Sequence, residues 1–102
     1  MMTSSRNLRY APGAQRDIRS IMRHSLRRWG AQQEAAYTTR LEGAAQRLCE
    51  FPELGRARDD LFPGCRGFPV GEHVIIYEFD EISVTVLRIL HSKMDASTEI
   101  DR

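Results

Sequence analysis

Two histidines and a set of cations gather at the ends of apolar runs in the last third of the chain. His73 opens His73-Val74-Ile75-Ile76-Tyr77, Arg88 interrupts Leu87-Arg88-Ile89-Leu90, and His91 closes that run, followed by Lys93, Met94 and Asp95. Arg66 stands upstream, behind Pro63-Gly64-Cys65. Imidazoles beside guanidinium groups are the chemistry of proton transfer and of steadying charge on a phosphate. Each residue also has a plainer use. His91 can hydrogen-bond the backbone at a strand end, touch a target, or act as acid or base. Arg88 amid apolar neighbours calls for a carboxylate partner. Arg66 is open between pairing with an acid and binding a partner. The chain shows no glycine-rich phosphate loop, no Cys/His metal set and no Ser-His-Asp arrangement, so neither a metal nor a cofactor is expected.

Composition bounds the rest. With 102 residues, 41% of them hydrophobic and 28% charged, residues 1–102 are expected to form one soluble domain. No apolar stretch approaches the roughly 20 residues of a membrane span, and no secretory signal is visible. Cys49 and Cys65 lack a C-x-x-C spacing and read as buried reduced thiols. The net charge of +1 hides an asymmetry. Residues 1–30 hold seven arginines against Asp17 alone, whereas the remainder is net acidic. Fourteen of the fifteen cations are arginines, the residue suited to bidentate pairing with carboxylate or phosphate.

The elements that must position these groups emerge from pattern. Leu8 and Tyr10 alternate with Arg9 in a short edge strand over residues 7–10. Pro12 suits the first turn of a helix, although Ala11 before it cannot cap with its side chain, at a cost of about 1 kcal/mol. Ala14, Ile18, Ile21, Met22, Ser25 and Trp29 then recur at helical spacing as one buried stripe, with Trp29 as a core anchor. Arg16, Arg19, Arg23, Arg27 and Arg28 fall mostly off that stripe and form a basic face, either solvated or facing an acidic partner or DNA. Gly30 stops the helix. A second helix over about 32–50 carries Tyr37, Leu41, Ala44, Ala45 and Leu48, and ends before Pro52. After a long connection come strands over about 66–69, 73–79 and 83–91, joined by tight turns. The expected fold is α+β: an N-terminal strand and an α-hairpin packed on a mostly antiparallel, four-stranded sheet, with residues 1–6 and 97–102 loose.

Strict alternation puts Val74 and Ile76 opposite Ile75, Tyr77 and Phe79, and Val84, Val86 and Leu90 opposite Leu87 and Ile89. Both faces are then apolar, as in strands covered on both sides. One helical hairpin covers one face. The other is expected to stay open for a partner, unless the loop, with Leu54, Leu61 and Phe62, and the tail fold over it.

Taken in order, Trp29-Gly30, the stretch Pro52…Gly55-Arg56…Pro63-Gly64-Cys65-Arg66, Gly71-Glu72-His73, Leu87-Arg88-Ile89-Leu90-His91 and Met94-Asp95 resemble ParE-type toxins of the ParE/RelE superfamily, over about residues 7–95. The resemblance implies a cytoplasmic type II toxin that inhibits DNA gyrase by stabilising its cleaved-DNA state. It also implies neutralisation by a ParD-like antitoxin, with DNA engaged only through their complex. Arg66, His73, Arg88, His91, Lys93, Met94 and Asp95 become candidates for contact with partner or target. Arg16, Arg19, Arg23 and Arg27 become candidates for facing the antitoxin. The alternative is the RelE-like branch, a ribosome-dependent mRNA endonuclease. Two features weigh against it: His73 stands where those relatives tend to carry an arginine, and no tyrosine comes after the last strand. A non-enzymatic inhibitor is therefore expected; a non-toxic binding module is a third possibility.

Overall fold

The computed structural model describes residues 5–100. The chain runs β1 (Asn7–Tyr10), α1 (Pro12–Trp29), α2 (Ala31–Glu50), β2 (Arg56–Ala57), β3 (Arg66–Val70), β4 (His73–Phe79), β5 (Ser83–His91) and α3 (Ala96–Glu99). The strands form one sheet in the order β1-β5-β4-β3-β2. β1 lies parallel to β5, Asn7 opposite Ser83 and Tyr10 opposite Val86, while the other pairings are antiparallel.

The α-hairpin forms where the pattern predicts. Gly30 separates the helices at φ 89° and ψ 173°, a backbone region that side chains with a Cβ avoid. Ala11 gives α1 no side-chain cap, as its type requires. Ala14, Ile21, Leu41, Ala45, Leu48 and Cys49 close over Ile75, Tyr77, Val84, Val86 and Ile89 of the sheet. Gly71 makes the β3–β4 turn at φ 56°, and a Cβ there would sit 2.7 Å from the Tyr37 ring. Glycine is thus required twice over, by conformation and by space.

Five expectations need correction. The sheet has five strands, not four. The long connection contains β2, which pairs Arg56 with Gly67 and Ala57 with Arg66. Alternation breaks in β5: Ile76 faces Arg88 but Tyr77 faces Val86, so Leu87 is bulged out. The bulge reverses the facing of the residues after it. Ile89 enters the helix-side core, and Leu90 joins Ile76 on the other face.

That other face is not open. Phe62, Cys65, Ile76 and Leu90 are buried together, with Leu61, Val74, Leu87, Ala96 and Ile100 packed around them. The chain's own loop and tail supply this cover, so the apolar faces of β4 and β5 do not by themselves demand a second polypeptide. The tail is accordingly not loose over 97–99, which belong to α3, capped by Asp95 through Ser97 N–H. Near the other end Arg6 is tied down, its N–H donating to Cys49 O. Residues 1–4 and 101–102, also expected to be loose, lie outside the described residues. Finally, Trp29 is not a core anchor. It is 40% exposed, and Leu26 (50%) one turn before it and Met22 (36%) two turns before it are exposed as well.

The loop over the second face is fastened from below. Tyr77, fully buried, donates its hydroxyl hydrogen to Pro52 O at 2.7 Å and accepts from Gly55 N–H at 2.9 Å. Arg66 donates to Gly55 O at 2.6 Å and Glu53 O at 3.2 Å. Both residues thereby satisfy backbone groups that the loop cannot pair within itself.

Candidate functional site: a cleft lined by three histidines

β1 ends where the chain turns into α1; its last bond to β5 is Ala11 N–H to Val86 O. Among the described residues no strand pairs with the outer edge of β5 beyond Val86, and Asp17 from α1 takes its place. One Asp17 oxygen accepts Ile89 N–H at 2.8 Å. The same carboxylate grips the Arg88 guanidinium bidentately, at 2.8 and 3.0 Å. Arg88 also donates to Glu99 O at 2.8 Å, which ties α3 to the sheet. Gly13 permits this approach, because a Cβ there would lie 2.8 Å from Arg88 Cδ. The carboxylate that Arg88 calls for is thus the one acid of the basic first segment. Its negative charge holds the guanidinium well inside the charged range, with the hydrogen bond to Asp17 as the main cause.

Next to this pair, α1, α2 and the paired ends of β4 and β5 enclose a cleft of about 370 Å³. His24 and Arg28 reach it from α1, Tyr37 from α2, Glu72 from the turn, and His73 and His91 from facing positions of β4 and β5. Ile21, Ile89, Leu90 and Met94 give it apolar walls. Trp29, Tyr37, His73 and His91 form a row of rings whose successive centroids are 6.5, 5.6 and 5.5 Å apart. Arg28 lies over the indole at 5.2 Å.

Hydrogen bonding fixes this wall. The Tyr37 oxygen accepts Glu72 N–H at 3.1 Å and lies 2.6 Å from His73 Nδ1 and 3.3 Å from Val70 O. Burial, more than any charge, raises the Tyr37 pKa, so the phenol keeps its proton. Burial likewise lowers the His73 pKa, aided by His91 and opposed by Glu72. A neutral His73 accepts the Tyr37 hydrogen at Nδ1. His91 Nδ1 accepts Lys93 N–H at 3.2 Å, which turns its Nε2 toward Glu72 Oε1, 3.5 Å away.

His73, Arg88, His91 and Met94 of the predicted candidates therefore meet in one cleft. Lys93 contributes its backbone N–H, and Asp95 caps α3, its carboxyl held below the usual range by the Ser97 hydrogen bonds. Arg66 lies elsewhere, fastening the loop. Arg16, Arg19, Arg23 and Arg27 are exposed on α1, and none forms an ion pair among the described residues. Arg19 and Arg23 border a shallow groove with Met22, Leu26 and Glu34. Asp17, His24, Tyr37 and Glu72 were not among the predicted site residues, Tyr37 being expected only in the α2 stripe and Glu72 only in the β3–β4 turn. For Asp17 a signal existed, since it is the lone acid among seven arginines and Arg88 needs a carboxylate. His24 falls off the buried stripe, and no spacing marks it. Among the described residues no cluster of His, Cys, Asp or Glu is arranged to hold a metal ion. Among the described residues no helix is long and apolar enough to cross a membrane.

Comparison with known proteins agrees with this architecture. Residues 8–96 match the family of the ParE toxin of the type II toxin–antitoxin system, parDE. Toxin ParE1 of Mycobacterium tuberculosis is 35% identical over 98 residues, covering 95% of this chain and 99% of that protein. Toxin ParE1 of Caulobacter vibrioides is 31% identical, covering 85% and 90%, and Toxin ParE of Escherichia coli is 32% identical, covering 85% of each. In fold, the chain superposes on a structure described as the chromosomal ParDE TA system from P. aeruginosa with a TM-score of 0.73 at 17% identity, over 85% of this chain and 96% of that one. The family match spans most of the sequence and bears out the resemblance carried by its motifs: the chain belongs to the ParE toxin family of type II toxin–antitoxin systems.

Proposed function

We propose that this toxin acts in the cytoplasm by inhibiting DNA gyrase, binding the enzyme in its cleaved-DNA state, and that a ParD-like antitoxin neutralises it. Such action is differential binding to one state of a target and requires no bond chemistry from the toxin itself. DNA is engaged only through the toxin–antitoxin complex. The observation that carries the antitoxin reading is the outer side of α1. Met22, Leu26 and Trp29 lie exposed at helical spacing, beside arginines that form no ion pair among the described residues. An amphipathic acidic segment that orders on binding fits such a surface. The expected partner then belongs on the hairpin rather than on the sheet face that the chain covers itself.

The gyrase reading is tested with purified toxin in a supercoiling assay, run beside in vitro translation. Loss of supercoiling with accumulation of cleaved DNA, and mRNA left whole, supports it. Active supercoiling with mRNA cut on ribosomes overturns it. That second outcome belongs to the ribonuclease reading, which one observation favours: three imidazoles share a cleft with a phenol and Arg28. Against it, His73 Nδ1 is engaged by Tyr37 and Arg88 is neutralised by Asp17.

A further inference from the structure

The chain has three histidines in all, and the fold brings every one to the same cleft from three different elements. Charge in that cleft is poorly balanced once imidazoles are protonated. From α1 it is faced by Asp17, His24 and Arg28; from α2 by Tyr37, with Arg40 acting on it; from the turn by Glu72; from β4 and β5 by His73, Arg88 and His91. Lys93 lies two residues beyond His91. Asp17 is committed to Arg88 and to Ile89 N–H. Glu72 alone remains to answer three imidazolium groups and Arg28. With all three imidazoles protonated, three of those four positive charges go unanswered among the residues lining the cleft, and an incoming carboxylate answers one of them.

The network is also built to accept a proton without leaving an orphan. The Tyr37 hydroxyl has two acceptors within reach, His73 Nδ1 and Val70 O. With His73 neutral its hydrogen points to Nδ1. With Nδ1 protonated the hydroxyl can turn to Val70 O and accept from His73 instead, still accepting Glu72 N–H. His73 Nε2 makes no hydrogen bond among the described residues and stays free for a ligand.

We infer that this cleft seats a carboxylate side chain of the acidic partner segment, and that seating it draws protons onto the histidines. The inference rests on the antitoxin reading for the source of that carboxylate. The apolar walls at Ile21, Ile89 and Met94, and the indole of Trp29 at the junction with the exposed α1 stripe, receive the apolar neighbours of that side chain. Affinity therefore climbs as pH falls through the histidine range, until the partner's own carboxylates begin to protonate.

The test is calorimetry of the full-length toxin with the antitoxin encoded beside it, at pH 6.5 in two buffers of different ionisation heat. Uptake of about one proton per complex is expected, and with it a roughly tenfold gain in affinity per unit of pH lowered. His73→Gln and His91→Gln should each reduce both. The second is the safer variant, because His91 is partly exposed. In a second arm N-acetyl-Glu-Leu-Glu-amide is titrated onto the toxin alone while the imidazole proton resonances are tracked by NMR. Tight antitoxin binding with no proton uptake overturns the inference and leaves the antitoxin reading standing. Shifts of all three imidazoles by the tripeptide, with no antitoxin binding, keep the carboxylate site and remove the antitoxin as its source. No response in either arm removes both.

Discussion

Replacing Asp17 by alanine tests the logic of the sheet edge most directly. The change removes two charge-assisted bonds to Arg88 and the acceptor of Ile89 N–H. Breaking one side of a fully buried ion pair costs about 3–5 kcal/mol. Here the side chains of Arg88 and Asp17 are 26% and 15% exposed, so water replaces part of what is lost. The lower end, about 3 kcal/mol, is therefore expected, which lowers the melting temperature by about 12–24 °C in a domain of this size. Arg88→Met keeps the cap on Ile89 but strands the Asp17 carboxylate and releases Glu99 O, so a loss of similar size, about 3 kcal/mol, is expected. The double variant should lose less than the sum of the single ones by at least about 1 kcal/mol. Urea unfolding of the four proteins measures the cycle. A loss below about 0.5 kcal/mol for Asp17→Ala, or additivity within about 0.3 kcal/mol, would refute the claim that this pair substitutes for a missing strand.

Tyr77→Phe leaves Pro52 O and Gly55 N–H buried without partners and should cost about 2–3 kcal/mol, with faster amide exchange at Gly55 as the local readout. Ending the chain after Asp95 removes α3 and Ile100 from Leu87 and Leu90; increased binding of an apolar dye is expected, and an unchanged signal contradicts the role given to the tail. Because burial keeps His73 neutral in the folded chain, unfolding takes up a proton below the ordinary histidine pKa of about 6.5. Its contribution to stability is whole above that pH and declines as pH falls toward the lower folded value, by at most about 1.4 kcal/mol per pH unit. Urea midpoints at pH 7.5 and 5.5 should differ less in His73→Gln than in the parent chain.

The sequence by itself determined the order of β1, the two long helices, β3, β4 and β5, because each is set by local pattern, whereas β2 and α3 lie in a connection and a tail that carry none. Helical spacing in the first half, Gly30 at the break, Pro52 after the second helix and period-two strands around tight turns all act over a few residues. The need of Arg88 for a carboxylate was legible for the same reason, since a charge among apolar neighbours must be answered. Three things were decided only by tertiary structure. A bulge at Leu87 shifts the facing of everything after it in β5, and its position depends on the partner strand, not on the β5 sequence. Coverage of the second sheet face depends on where a loop and a tail without periodic pattern come to rest. They rest there because Tyr77 and Arg66 satisfy the loop backbone and Arg88 holds α3. The cleft joins His24, His73 and His91, residues that share no element and no spacing. Only the packing of α1 across the ends of β4 and β5 brings them within reach of one ligand.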